Sequence, residues 1–152
     1  MNILKNLMLT LMLSLMASFA LAADRGEQKQ VFGDYEVHYI GLNSTFLTPD
    51  VAEAYGITRS GSLGYLSISI LKNDKNSELP MPVTGKVTGQ LRNLIGQSKE
   101  LEFKEIKETN AVYYISTFRF DDGDMYHINL QATPDGQSRS YDVKFSQRFY
   151  KE

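Results

Sequence analysis

The 152 residues carry 16 Lys and Arg against 18 Asp and Glu, a net charge of −2, and no cysteine at all. Without a thiol there can be no disulfide, no thiol catalysis, no cysteine-held metal, and no lipoprotein anchor, which is built on a cysteine at the cleavage site. Basic residues scattered among acidic ones also argue against nucleic acid, whose phosphates need a clustered basic stripe.

Residues 1–22 have the layout of a secretory signal peptide. Lys5 is the single charge of a short n-region, Leu7 to Leu21 is an apolar stretch, and Ala20-Leu21-Ala22 offers small residues where a signal peptidase requires them. The apolar stretch is shorter than the roughly 20 residues of a spanning helix, and no basic stop-transfer cluster follows. Cleavage after Ala22 leaves 15 basic against 18 acidic residues and no membrane span. A cysteine-free exported domain of this size fits the periplasm of a Gram-negative bacterium.

Residues 23–30 are polar and read as a flexible lead-in to a single domain over 31–152. In that domain Tyr35, Val37 and Tyr39 alternate with Glu36 and His38, the period of a strand with one buried face. Thr48-Pro49-Asp50 is a helix start, with a Thr cap, Pro at the first helical position and an acid in the first turn. Gly56 closes that helix after about two turns, and Val51, Ala54 and Tyr55 offer it an apolar face.

Leu63–Lys72 and Val83–Leu94 read as strands, the second with Gly85 and Gly89 on its apolar side. Lys99–Lys107 alternates in charge, as an exposed edge strand does to stay soluble. Val112, Tyr114, Phe118 and Phe120, then Asp121-Asp122-Gly123-Asp124, then Tyr126, Ile128, Leu130 and Ala132 predict a hairpin. Pro134-Asp135-Gly136 makes a second turn, and a last strand runs from Tyr141 to Phe149-Tyr150. About seven strands and one short helix predict an all-β chain, an antiparallel β-sandwich of immunoglobulin-like architecture, with a closed β-barrel as the alternative.

Three stretches carry a resemblance to a known family. They are Phe32-Gly33-Asp34-Tyr35-Glu36-Val37-His38-Tyr39, then Phe46-Leu47-Thr48-Pro49-Asp50-Val51-Ala52 with Tyr55-Gly56-Ile57-Thr58-Arg59-Ser60, and the 122–127 turn with the closing 143–150 strand. Together they resemble the exported proteobacterial domain of unknown function 4426 family over nearly all of the mature chain. The resemblance implies a Gram-negative periplasmic setting; it brings no reaction and no catalytic residue.

His38 and His127 are the only histidines. Were their strands neighbours in one sheet, the two could hold Zn²⁺ or Cu²⁺ with Glu36. Asp121, Asp122 and Asp124 lack the spacing of a calcium loop and serve the turn. No Gly-x-Ser-x-Gly elbow and no phosphate-cradling loop is present, so the chain is expected to be non-enzymatic and to need no cofactor. Residues 43–64 form the longest irregular segment. Phe46 and Tyr55 there could wall a binding surface, with Arg59 engaging a carboxylate or phosphate.

The reading that follows is a non-enzymatic binding or accessory module, meeting an envelope protein or a small ligand through the 43–64 loop or through an exposed edge. The edges in view are the 99–107 strand and the last strand, where Phe149 and Tyr150 are left near the chain end. A small-ligand or metal carrier is the alternative, and an envelope hydrolase a third.

Overall fold

Strict alternation of apolar and polar residues forces each strand to bury one face, and two such faces closed on each other make a sandwich. The computed structural model describes residues 28–152 and shows that solution. The signal-peptide reading of residues 1–22 lies outside the described residues.

The strands are β1 (Gln28–Phe32), β2 (Tyr35–Asn43), β3 (Leu63–Lys72), β4 (Met81–Pro82), β5 (Gly85–Asn93), β6 (Ser98–Leu101), β7 (Lys104–Glu108), β8 (Ala111–Arg119), β9 (Met125–Pro134) and β10 (Tyr141–Arg148). A 3-10 turn (Ser44–Phe46) and one short helix, α1 (Pro49–Tyr55), lie between β2 and β3. One sheet runs β1-β2-β3-β8-β7 with β4 also on β3, and the other runs β10-β9-β5-β6. Every pairing is antiparallel. The sheets stay separate, so the closed-barrel alternative falls.

The core lies between them. Val37, Leu66, Ile68 and Ile70 from one sheet meet Leu91, Ile128, Leu130 and Val143 from the other. Aromatics close one end, where Phe149 packs edge-on to Phe118 with ring centroids 5.1 Å apart, and beside Phe120 and Tyr126. Gly64 makes room for this cluster, because a Cβ there would run into the Phe118 ring.

Four expectations change. The segment 28–30 is no loose lead-in: Gln28, Lys29 and Gln30 pair with Tyr39, His38 and Val37 as the start of β1. The Asp121–Asp124 turn does not make a hairpin. It carries the chain from β8 in one sheet to β9 in the other, held by Gly123 N–H donating to Phe149 O (2.9 Å) and Asp124 N–H donating to Asp121 O (3.1 Å). The charged run at 99–107 likewise splits into β6 and β7, one in each sheet, because Phe103 turns inward against the core. Finally, Phe149 belongs to the core rather than to a free chain end.

The last strand is an edge of its sheet, as expected, but a covered one. Gln30 Nε2 donates to Lys144 O (3.0 Å) and Gln147 Nε2 to Gly41 O (2.7 Å). Phe32 stacks on Tyr141 at 4.8 Å and Tyr39 on Phe145 at 4.2 Å. Side chains thus seal β1 and β2 to β10 along one side of the sandwich.

Candidate functional site

Residues 43–64 leave the sandwich at one pole. Asn43 at the end of β2 builds the exit. Its side chain accepts from Thr45 N–H (3.1 Å) and donates to Gly61 O (2.7 Å) and Tyr150 O (3.2 Å), tying the segment to the C-terminus. Ser44, fully buried, donates to Ser60 O (3.1 Å). Thr48 caps α1 by accepting from Val51 N–H (3.4 Å), and Gly56 ends it with the left-handed φ of 67°.

The helix packs differently from its sequence pattern. Ala52 is the residue it buries, whereas Val51 and Ala54 face solvent. Tyr55 leans onto the outer face of the first sheet and donates its hydroxyl to Glu108. That carboxylate, with burial adding to it, pushes the phenol up to about 12. Lys104 Nζ donates to Tyr55 O (3.1 Å), a cation at the helix C-terminus where the backbone dipole favours it. Between Tyr55, Ile57 and Thr58 on one side and Lys104, Ile115 and Thr117 on the other lies a crevice of about 270 Å³.

Of the three residues expected to share a surface, Tyr55 lines this crevice and the other two do not. Arg59 is pinned to the loop by donating Nη2 to Thr45 O (3.1 Å). Phe46 stands out at the pole, 64% exposed. It has company: Tyr150, left near the chain end as its sequence position implied, is 62% exposed, and Leu94 and Ile95, at the tip between β5 and β6 and missed by sequence reasoning, are 68% and 80% exposed. Pairing of Asn93 with Tyr126, contact of Tyr126 with Phe149, and the bond from Asn43 to Tyr150 O place the three groups at the same end of the sandwich. Charges of both signs stand near Phe46 and Tyr150: Arg59 donates to Thr45 O, Glu152 accepts from Thr45 Oγ1, and Asp122 accepts from Lys151 N–H.

The two histidines do not meet. His38 lies on β2 and His127 on β9, in different sheets, each on the side of its strand that faces away from the core. A shared His38–His127 metal site is therefore ruled out by topology, since the whole core separates the two outer faces. Glu36 does meet His38. Its Oε2 lies 2.8 Å from His38 Nε2 and 3.1 Å from Lys29 Nζ, and Asn73 Nδ2 donates to Oε1 (3.1 Å). Glu36 is buried, and these bonds, His38 first, hold its carboxyl at about 2. Among the described residues no three His, Asp or Glu side chains form a group able to hold a metal ion.

No curated protein matches the chain in sequence. Among solved structures it is similar to a DUF4426 family protein from Pseudomonas aeruginosa, at 30% identity and a TM-score of 0.73, covering 84% of this chain and 98% of that one. More distantly it shares its fold with FetP of uropathogenic Escherichia coli strain F11, recombinantly expressed in the periplasm, at 11% identity and a TM-score of 0.60, covering 84% and 95%. A copper-bound variant of that FetP, glutamine replacing one glutamate, is similar at 11% identity and a TM-score of 0.58, covering 84% and 98%. Residues 29–152 match the sequence profile of the domain of unknown function DUF4426, and the chain belongs to that family.

Proposed function

We propose that this chain is a non-enzymatic binding module of the Gram-negative periplasm that docks another envelope protein on its apolar pole. The observation that carries this reading is the gathering of Phe46, Leu94, Ile95 and Tyr150, all more than half exposed, at one end of the sandwich. Large apolar side chains scattered singly over a surface need no explanation, but a group of them ringed by mixed charge has the make-up of a protein interface. Support for the address comes from the signal-peptide layout of residues 1–22. The test is capture of tagged protein from lightly cross-linked periplasm, beside a Phe46→Ser, Ile95→Ser variant. A partner held by the parent and lost by the variant supports docking at the pole; a partner held equally by both moves the interface elsewhere.

Metal carriage is a second reading, favoured by one distance. Two donors bound at about 2.1 Å to one tetrahedral ion sit roughly 3.4 Å apart, and His38 Nε2 and Glu36 Oε2, hydrogen-bonded at 2.8 Å, need open only slightly to admit one. The copper-bound FetP variant lends the fold a precedent. The fit is partial, with two donors and the Lys29 ammonium on the same carboxylate oxygen. Titration with Cu²⁺ and Zn²⁺ decides it: binding that disappears in His38→Ala supports carriage, and a melting temperature unmoved by either metal removes it.

A further inference from the structure

The second sheet turns a largely polar face outward. From β5 come Thr88, Gln90 and Arg92; from β9, His127, Asn129 and Gln131; from β10, Asp142, Lys144 and Ser146. Register sets them side by side. Arg92 faces His127, which faces Ser146, while Gln90 faces Asn129, which faces Lys144. Cross-strand neighbours on one face have Cβ atoms about 5 Å apart, within joint reach of one small ligand.

Two adjoining hollows indent this face, of about 410 and 420 Å³, sharing Asn129 and Lys144. The larger is lined by Arg92, His127, Asn129, Lys144, Phe145 and Ser146, with no acid among them. In a chain of net charge −2 that is a local reversal of sign. Among the described residues the Arg92 and Lys144 side chains make no ion pair. His127 Nδ1 and Ser146 Oγ lie 2.7 Å apart, linking β9 to β10 across this face. The neighbouring hollow is lined by Thr88, Gln90, Asn129 and Gln131 together with the carboxylates of Glu100 and Asp142, and Gln131 Nε2 donates to Asp142 Oδ1 (3.3 Å).

We propose that this face binds an anionic saccharide, a sugar ring carrying a carboxylate or a phosphate. Arg92 and Lys144 take the oxyanion, the guanidinium offering a forked pair of donors and the ammonium a point charge. Gln90 and Asn129 each donate and accept, and Glu100 and Asp142 accept, as sugar hydroxyls require. The site is on a different surface from the apolar pole and stands or falls independently of it.

The test is an amide-shift titration of the purified protein with glucose 6-phosphate, glucuronate, inorganic phosphate and glucose. The two acidic sugars shift β5, β9 and β10 amides saturably, and Arg92→Gln or Lys144→Gln weakens each by about tenfold or more, the worth of one charge-assisted bond. Both residues are exposed, so neither change moves the melting temperature. Asn129→Ala weakens the acidic sugars and leaves inorganic phosphate as it was. The proposal is overturned by shifts that are absent or fall elsewhere, by binding unaffected in both charge variants, or by inorganic phosphate binding as tightly as glucose 6-phosphate.

Discussion

Glu36 is the residue on which the outer face of the first sheet is most dependent. A buried carboxylate is tolerable when hydrogen-bond partners surround it, and His38, Asn73 and Lys29 do so from β2, the loop after β3, and β1. Its folded-state pKa of about 2 lies below the ordinary 4.5. A depressed carboxyl contributes stability that is complete above the unfolded value and is lost as pH falls through the folded one. The window is therefore between 4.5 and about 2. Glu36→Gln keeps the shape and removes the charge. Urea unfolding at about pH 6 and about pH 2.5 should show the parent well above this variant at the first pH and the gap largely closed at the second. The importance of Glu36 was half legible: alternation put it outward with His38, but Asn73 lies 37 residues along the chain, and only β2–β3 register brings it there.

At the scale of elements, the strands were legible and their partners much less so. Period-two patterning finds a buried face without saying which sheet receives it, and Asp122-Gly123 suits a crossing between sheets as well as a hairpin, since both need a tight reversal with one left-handed residue. The alternating charges of 99–107 hid a change of sheet for the same reason. The helix was legible at both caps, and its buried face was not, because two turns give too few residues to define one. Only Ala52 anchors α1 to the sandwich, aided by Tyr55 to Glu108 and Lys104 to Tyr55 O. Such an element opens by itself, below the global unfolding energy. Thr48→Ala removes the bond to Val51 N–H and should cost the helix about 1 kcal/mol. Hydrogen exchange should then quicken several-fold in α1, with β3 and β8 amides and the melting temperature unchanged. Slowed or unchanged exchange in α1 would mean the helix opens only with the whole domain.

The whole molecule is a sandwich whose two long sides are finished differently. On one side the chain itself crosses from β6 to β7, leaving two short charged edges that resist pairing with other strands. On the other, β1 near the start and β10 near the end meet through side chains alone, with no backbone ladder between the sheets. Stacked rings can replace a ladder because each buries a large apolar area and fixes its partner's orientation. Phe145 on Tyr39 at 4.2 Å and Tyr141 on Phe32 at 4.8 Å form this seam, with a glutamine bond from each sheet. Tyr39 is a core residue and Phe145 is half-buried against that core, so cutting the seam there opens the interior rather than a surface. Phe145→Ala should lower global stability by roughly 2–3 kcal/mol, near the low end for a buried Phe. The urea midpoint should fall with the slope unchanged, because the same surface is exposed when the seam is part of one cooperative unit. If β1 were instead an independent flap, the midpoint would hold and only β1 amides would exchange faster. The seam joins the two ends of the domain across more than a hundred residues, from Gln30 to Lys144, and predicts the global outcome.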